Sequence, residues 1–259
     1  MRATTADVTE QYAADGYVVF RDVIDPGVVE AANAHVDWLL TRNPELTPEQ
    51  LGHRLARDDP FWIRLVSDHR LLDLAQLFVG PDIALFATHY LCKPPKNGKG
   101  VQWHQDGAFW PLEPMNVVTL WLALTDSDPG NGCLRVLPGS HRSKLEKMRQ
   151  TDPDTVLRSR IDTDIDETGA VDLVMRPGDV EVHHPNIVHS SMPNRSDRWR
   201  RALTIRYIPT STRITRPDEA SPFHLRGETV PGLNTYLEPP PFRAGHHFPS
   251  PSDEAGRAR

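Results

Sequence analysis

The segment Pro177-Gly178-Asp179-Val180-Glu181-Val182-His183-His184 combines a tight turn with a short β-type run. Proline, glycine and aspartate favour turns, whereas valines at alternate positions are typical of a strand with two different faces. The segment therefore predicts a short strand that begins at a turn and carries histidines at its far end. Short runs of the same kind recur through the middle of the chain and indicate the fold class.

Six other β-type runs lie on either side of this segment, separated by Pro, Gly and Asn turns: residues 83–92, 101–104, 117–124, 133–136, 171–175 and 202–208. A parallel sheet would place helices of about 10–15 residues between its strands, and no such pattern separates these runs. The arrangement favours antiparallel strands. We predict a mainly β fold with flanking helices, in which about residues 83–209 form a double-stranded β-helix (jelly roll, cupin-like) core.

Helical patterns flank this core on its amino-terminal side. Asp25 and Pro26 suit the N-cap and the first position of a helix, because aspartate accepts from free helical N–H groups and proline has no N–H to satisfy. Composition and periodicity predict two further helices and one short strand: helices over 5–14 and 71–78, and a strand over 17–20.

The chain after the last β-type run has a different composition. Nine prolines, counting Pro209 itself, lie from this residue to the C-terminus, which predicts an irregular tail over 210–259. We expect its last ten residues to be disordered. The whole chain, 1–259, is interpreted as a single domain.

Composition narrows the classes of partner. The 259 residues include 29 Lys and Arg against 35 Asp and Glu, for a formal net charge of -6, which argues against nucleic acid as the main partner. No run approaches the ~20 apolar residues of a membrane span. Small molecules are therefore the expected partners. The two cysteines, Cys92 and Cys133, form no CxxC motif, so we expect a protein of the reducing cytoplasm.

The first candidate for chemistry is the pair His104 and Asp106 in Gln102-Trp103-His104-Gln105-Asp106. Residues two apart on an extended segment point to the same side, so the imidazole and the carboxylate can reach a common point. Two histidines and one carboxylate form the facial triad of non-haem Fe(II) oxygenases. By residue type, His183, His184 and His189 all qualify as the third ligand.

The last predicted strand has two chemically different faces. Arg200, Ala202, Thr204 and Arg206 share one face, and Arg201, Leu203, Ile205 and Tyr207 share the other, which is better suited to packing against apolar neighbours. Inside a barrel, Arg200 could bind a carboxylate through two hydrogen bonds; the alternative is an ordinary surface arginine.

The run over 117–124 shows the same division. An aliphatic face alternates with Thr119 and Trp121, which could line a cavity. A packing role for Trp121 is the alternative.

Taken together, these segments resemble the phytanoyl-CoA dioxygenase family of Fe(II)/2-oxoglutarate-dependent oxygenases. The resemblance extends over about residues 10–208 and rests on motifs that follow the family's order: Asp15-Gly16-Tyr17-Val18-Val19, Lys93-Pro94-Pro95, Trp103-His104-Gln105-Asp106, Asn131-Gly132-Cys133-Leu134, Pro138-Gly139-Ser140-His141, Pro177-Gly178-Asp179, and His189-Ser190-Ser191 with Asn194, Ser196 and Arg200.

The resemblance implies roles for individual residues. It implies His104, Asp106 and His189 as the iron ligands, and 2-oxoglutarate and O₂ as cosubstrates. Around 2-oxoglutarate it implies five contacts, of which His89 departs from the residue type that relatives commonly have: Arg200, Ser191, Trp121, Thr119 and His89.

The resemblance also bears on the reaction. It implies hydroxylation of a small molecule, with formation of succinate and CO₂. Epimerisation, desaturation and cyclisation are alternatives with the same cofactors. Asp106 argues against halogenation, because halogenating relatives have Ala or Gly at this position.

Two alternatives come from other functional classes. One is a non-catalytic cupin-like binding protein in which His104 and Asp106 only form hydrogen bonds. The other is a zinc hydrolase on a cupin-like barrel, because Zn²⁺ also binds histidine and carboxylate. A hydrolase would have no need of Arg200 and would be active without O₂. For the substrate side of the pocket we expect the amino-terminal helices, the loop over 107–115, with Phe109 and Trp110, and the tail, with Phe223 and His224.

Overall fold

The structure is a computed structural model that describes residues 4–150, 155–157, 159–220 and 222–249. Five α-helices lie within these residues: α1 Thr5–Asp15, α2 Pro26–Arg42, α3 His53–Ala56, α4 Pro60–Val66 and α5 His69–Val79. None of these described helices has the length and apolar character needed to cross a bilayer.

The described residues also form fourteen strands: β1 Tyr17–Phe20, β2 Ile83–Lys93, β3 Val101–His104, β4 Leu112–Glu113, β5 Val118–Ala123, β6 Leu134–Val136, β7 Met148–Gln150, β8 Ser159–Ile161, β9 Val171–Leu173, β10 Val180–His183, β11 His189–Ser191, β12 Arg200–Pro209, β13 Arg213–Ile214 and β14 Phe223–Arg226. Every run predicted as a strand from the sequence forms one, with ends that differ by at most two residues.

Two antiparallel sheets form the core. The larger has the strand order β1-β10-β5-β12-β2-β14, and the smaller has the order β3-β11-β6-β9. From β3 to β12 the chain passes repeatedly from one sheet to the other, and strands distant in sequence become neighbours. This topology confirms the predicted jelly-roll fold.

Local sequence explains where the first elements begin and end. Thr4 and Asp7 cap α1 reciprocally, each side chain accepting a hydrogen bond from the backbone N–H of the other. Gly178, in the turn before β10, has φ 89°, and a Cβ there would lie 2.4 Å from the carbonyl oxygen of Ile24. Only glycine fits this turn without displacing the segment before α2.

The helices pack against one face of the larger sheet. The alternation predicted for β12 and β5 is confirmed, because the apolar residues on the predicted packing face of each strand join one buried cluster with residues of the helices. The Tyr207 hydroxyl donates a 2.6 Å hydrogen bond to the Val66 carbonyl, which ties β12 to α4. The opposite face of β5 and β12 is therefore directed toward the smaller sheet, where the polar candidates lie.

The segment after Pro209 is more regular than expected. Strand β13 pairs with β4, and β14 extends the larger sheet by pairing with β2. Phe223 in β14 is completely buried in the main apolar cluster, so it does not line a substrate pocket as expected from the sequence. The disorder expected for the last ten residues concerns positions outside the described residues.

Candidate active site

Three of the predicted residues converge in the structure. One potential ligand atom from each of His104, Asp106 and His189 lies within 4.8 Å of the other two, and all three residues are buried. His104 Nε2 is 3.5 Å and His189 Nε2 is 4.0 Å from the same carboxylate oxygen, Asp106 Oδ1. The three donor atoms therefore surround one point, as ligands of a single ion would.

Strand pairing brings the two histidines together. β3 and β11 are antiparallel neighbours in the smaller sheet, and their register places His189 directly opposite His104. Asp106 follows β3 at the start of a 3₁₀ turn. Gly107 permits this turn to pack closely, because a Cβ there would lie 2.4 Å from Asn186 Oδ1.

Backbone hydrogen bonds hold the two imidazoles in the orientation that a metal needs. His104 Nδ1 lies 2.8 Å from the Gln102 carbonyl oxygen, and His189 Nδ1 lies 3.0 Å from the Ile187 carbonyl oxygen. If each Nδ1 carries a proton and donates it to that carbonyl, each Nε2 keeps its lone pair for a metal. This donor set, two neutral imidazoles and one carboxylate, is the one that non-haem Fe(II) uses.

The electrostatic surroundings favour the metal-binding protonation states. Burial alone would raise the pKa of the Asp106 carboxyl, but contacts with His104 and His183 and the charge of Arg206 hold that pKa well below its ordinary value. Burial, together with His104, holds the pKa of His189 well below its ordinary value. Asp106 is thus ionised and His189 neutral near pH 7, as metal ligation requires.

His183 lies beside the three residues without belonging to them. Its Nδ1 is 2.8 Å from Glu181 Oε2, and its Nε2 is 3.7 Å from Asp106 Oδ2, the carboxylate oxygen turned away from His104. Burial would lower the pKa of His183, yet the carboxylates of Glu181 and Asp106 raise it to about 9. Sequence patterns revealed the histidine but not its partner, since Glu181 was interpreted only as a strand residue.

His184 is directed away from this cluster. Its Nδ1 accepts a hydrogen bond from the Asn186 N–H at 3.0 Å, and its ring lies 5.2 Å from that of His141. Of the three histidines that residue type left open, His189 is therefore the one that the structure brings to His104 and Asp106.

Arg200 lies at another part of the same cavity. It is 2% exposed, its guanidinium lies over the Trp121 ring, and its Nη1 donates to the Leu91 carbonyl at 3.0 Å. Arg200 Nε is buried without a hydrogen-bond partner among the described residues. Burial lowers the pKa of Arg200 only to about 10, so the buried group remains a cation that can pair with an anion.

Ser191 also lines the cavity, and Lys93 holds it from behind. The Lys93 ammonium donates to Ser191 Oγ at 2.7 Å and to the backbone carbonyls of Ser191 and Met192. Burial, and then the charge of Arg200, hold the pKa of Lys93 well below its ordinary value. The sequence signalled Lys93 only as part of a motif, because its partners are about a hundred residues away.

Thr119 and His89 are buried or half-buried close to the cavity but are not among its lining residues. The Thr119 hydroxyl has no hydrogen-bond partner among the described residues. His89 Nδ1 accepts a 2.8 Å hydrogen bond from Arg206 Nη1. Direct contact of these two residues with 2-oxoglutarate stays a prediction.

The cavity itself lies between the two sheets and encloses about 580 Å³ of space, including its mouth. Its polar lining is concentrated near Asp106 and Arg200, and its apolar lining includes Leu91, Val156 and Leu157. The last two were not expected from the sequence, since their segment carries no motif.

Known proteins resemble this chain in sequence and in fold. A 36% identical stretch of 147 residues, 55% of this chain and 51% of the relative, matches a probable alpha-ketoglutarate-dependent hypophosphite dioxygenase of Stutzerimonas stutzeri. The peroxisomal phytanoyl-CoA dioxygenase of Bos taurus is 30% identical over 203 residues, 75% of this chain and 60% of the relative. The chain thus spans about half to three fifths of the length of these relatives.

A solved structure, the apo form of the non-heme monooxygenase ThoJ, matches with a TM-score of 0.77 and 26% identity over 97% of this chain and 92% of that protein. The family model for phytanoyl-CoA dioxygenase (PhyH) matches residues 12–202, which include the three candidate metal ligands and Arg200. The chain therefore belongs to the phytanoyl-CoA dioxygenase (PhyH) family.

Proposed function

We propose that the protein is a non-haem Fe(II)/2-oxoglutarate-dependent dioxygenase that hydroxylates a small molecule. The observation that carries the proposal is the buried convergence of His104, Asp106 and His189 in a cavity that also contains the cation of Arg200. Family membership and the names of the three relatives reported above, two dioxygenases and one monooxygenase, support it.

The residues present fit the cofactors. His104, Asp106 and His189 would hold Fe(II), while Arg200, with Trp121 beside it and Ser191 nearby, would hold the distal carboxylate of 2-oxoglutarate. When bound, the iron and 2-oxoglutarate supply the oxidising chemistry, in which O₂ is consumed and succinate and CO₂ are formed. A bidentate arginine–carboxylate pair in a buried site fixes orientation as well as affinity.

The protein's own part is positioning and the exclusion of water. The hydrogen bonds to the Gln102 and Ile187 carbonyls keep the two imidazole rings oriented before metal binds. The hydrogen bond from Lys93 keeps Ser191 in place. The apolar residues Leu91 and Leu134 bound the cavity on opposite sheets and keep solvent away from a reactive centre.

The chemistry of the relatives supports a small molecule as substrate. The names of two relatives include hypophosphite and phytanoyl-CoA, which differ greatly in size, so they support a class of substrate rather than one compound. Epimerisation, desaturation or cyclisation would use the same iron and cosubstrate residues, and analysis of the product distinguishes them.

We propose the cytoplasm as the compartment, a proposal that both cysteines support by being free and buried.

The proposal is tested by adding Fe(II) and then 2-oxoglutarate to the metal-free protein without O₂. A chelated 2-oxo acid gives a weak visible charge-transfer band, which we expect here. A folded protein that shows no band contradicts the proposal and favours the non-catalytic binding protein. Hydrolytic activity with Zn²⁺ and without O₂ would favour the hydrolase. Succinate release across a panel of amino acids, acyl thioesters and natural-product intermediates would then identify the substrate class.

A further inference from the structure

We propose that Arg206 binds an anionic group of the substrate, so that the substrate is a small molecule with a carboxylate or a phosphorus oxyacid group held beside the metal site. This inference rests on the proposed function, because it assumes that 2-oxoglutarate occupies Arg200. It concerns a residue for which the family motifs named above provide no role.

The contacts of Arg206 leave one edge of its guanidinium available. Nη1 is engaged, donating to His89 Nδ1 at 2.8 Å and to Thr204 Oγ1 at 2.7 Å. Nε is buried without a hydrogen-bond partner among the described residues. Nη2 only approaches Asp106 Oδ2 at 3.8 Å, which is too long for a hydrogen bond. The Nε and Nη2 edge is the one with which arginine grips an oxyanion through two parallel hydrogen bonds.

The side chain is built to hold this position. The Arg206 side chain is 11% exposed, lines the cavity, and has its guanidinium 5.6 Å from the centroid of the Trp110 ring. Two hydrogen bonds and an aromatic neighbour restrict its rotamers before any ligand arrives, which reduces the entropy lost on binding. Burying the N–H donors of this edge without acceptors costs free energy, and a ligand that supplies the acceptors would offset that cost.

2-Oxoglutarate cannot serve both arginines in the proposed arrangement. One of its carboxylates would take part in metal binding, and the other would pair with Arg200. Arg206 lies six residues farther along β12, so the two Cα atoms are about 20 Å apart at ~3.3 Å per residue. A second anion is therefore needed for the edge of Arg206.

Charge balance in the cavity leads to the same conclusion. Fe(II) and the two carboxylates of 2-oxoglutarate would contribute no net charge when bound, and Asp106 offsets only one of the two arginines that line the cavity, Arg200 and Arg206. Among the side chains that line the cavity, one arginine is therefore left without a carboxylate partner, and an anionic substrate would supply that partner.

The experiment measures binding to Ni(II)-substituted protein saturated with 2-oxoglutarate. Propionate and methylphosphonate are titrated calorimetrically, with propionamide as the uncharged counterpart of propionate. We expect at least one of the two anions to bind and the amide not to bind. The anion that binds more tightly shows whether the anionic group of the substrate is a carboxylate or a phosphorus oxyacid. Arg206→Gln should weaken that binding at least tenfold, whereas Arg206→Lys should retain part of it.

A matched control is Arg201→Gln, which alters another arginine of β12, on the opposite face of the strand, and should leave anion binding unchanged. The inference is overturned if neither anion binds the saturated wild-type protein, or if Arg206→Gln binds the anion as well as wild type does. It is also overturned if Arg206→Gln loses Ni(II) affinity but keeps anion binding, because Arg206 would then only support Asp106.

Failure of the proposed function has a different signature. In that case the Fe(II) protein would give no charge-transfer band with 2-oxoglutarate, whatever the anions do. A normal band together with no anion binding would contradict only the role of Arg206. Melting temperatures of the Arg206 variants, compared with that of Arg201→Gln, establish that each is folded before it is titrated.

Discussion

Arg200 and Arg201 are neighbours in β12 with opposite surroundings. Arg200 is directed into the cavity beside Trp121, whereas Arg201 reaches the other side of the sheet and pairs with Asp37 at 2.6 Å. The difference follows from the two-residue period of a strand. It makes the pair a natural test of the cosubstrate site, because each variant is the control for the other.

Arg200→Ala should raise the 2-oxoglutarate concentration needed for half-saturation by more than about tenfold, since losing a buried charged pair costs ~2–5 kcal/mol. Titration of the anaerobic charge-transfer band measures this concentration. Arg201→Ala should leave it unchanged. Equal half-saturation for Arg200→Ala and wild type would transfer the role to another arginine.

His189→Ala should remove a metal ligand and lower Fe(II) affinity by more than about 100-fold, because even changes to residues behind the ligands cost ~10–100-fold. His183→Ala should still bind one Fe(II) per chain, since His183 lies beside Asp106 without completing the ligand set. Equilibrium dialysis with metal analysis measures both. Loss of binding in His183→Ala with retention in His189→Ala would move the third ligand to His183.

Strand β14 shows how an element outside the motifs becomes part of the fold. It extends the larger sheet at its edge, and the Phe223 side chain enters the same cluster as the apolar residues of β2 and β12. The sequence predicted an irregular tail here because prolines interrupt every periodic run. A four-residue strand whose partner lies over a hundred residues away has no local signature strong enough to be recognised.

Phe223→Ala should destabilise the protein by ~3–5 kcal/mol, the usual cost of removing a fully buried aromatic side chain and leaving a cavity. Val230→Ala is the matched control, since Val230 is 41% exposed and its loss should change the free energy of unfolding by less than ~0.5 kcal/mol. Urea unfolding measures both. A similar small effect for the two variants would mean that β14 does not contribute to the stable core.

The arrangement of the two sheets creates the site. His104 and His189 come from the smaller sheet, Trp121, Arg200 and Arg206 come from the larger one, and the cavity lies between them.

Buried histidines in this region also link the stability of the folded protein to pH, because burial opposes their protonation.

Stability of the metal-free protein should fall as the pH is lowered from about 6.5 to about 4. Burial lowers the pKa of His184 from 6.5 to about 4. The unfolded chain therefore takes up the proton first, and the stabilisation that is complete above pH 6.5 is lost through this interval. Urea unfolding at several pH values measures the slope. His184→Gln should make the slope smaller, and an unchanged slope would show that other groups cause it.

The fold class and the principal site motifs could be predicted without coordinates because their signals are local. Turn residues before alternating β-type runs indicated the jelly roll, and the spacing of His104 and Asp106 placed an imidazole and a carboxylate on one side of the chain. Strand parity likewise separated Arg200 from Arg201. Family motifs then implied His189, although residue type left His183 and His184 equally open.

Tertiary structure alone decided which distant groups meet. The register of β11 against β3 set His189 opposite His104, and the packing of β2 against β12 brought His89 to Arg206. The contact of Lys93 with Ser191 depends in the same way on segments far apart in the chain. A strand's sequence specifies the direction of its side chains, but the partner that each one meets depends on long-range pairing, which local patterns do not encode.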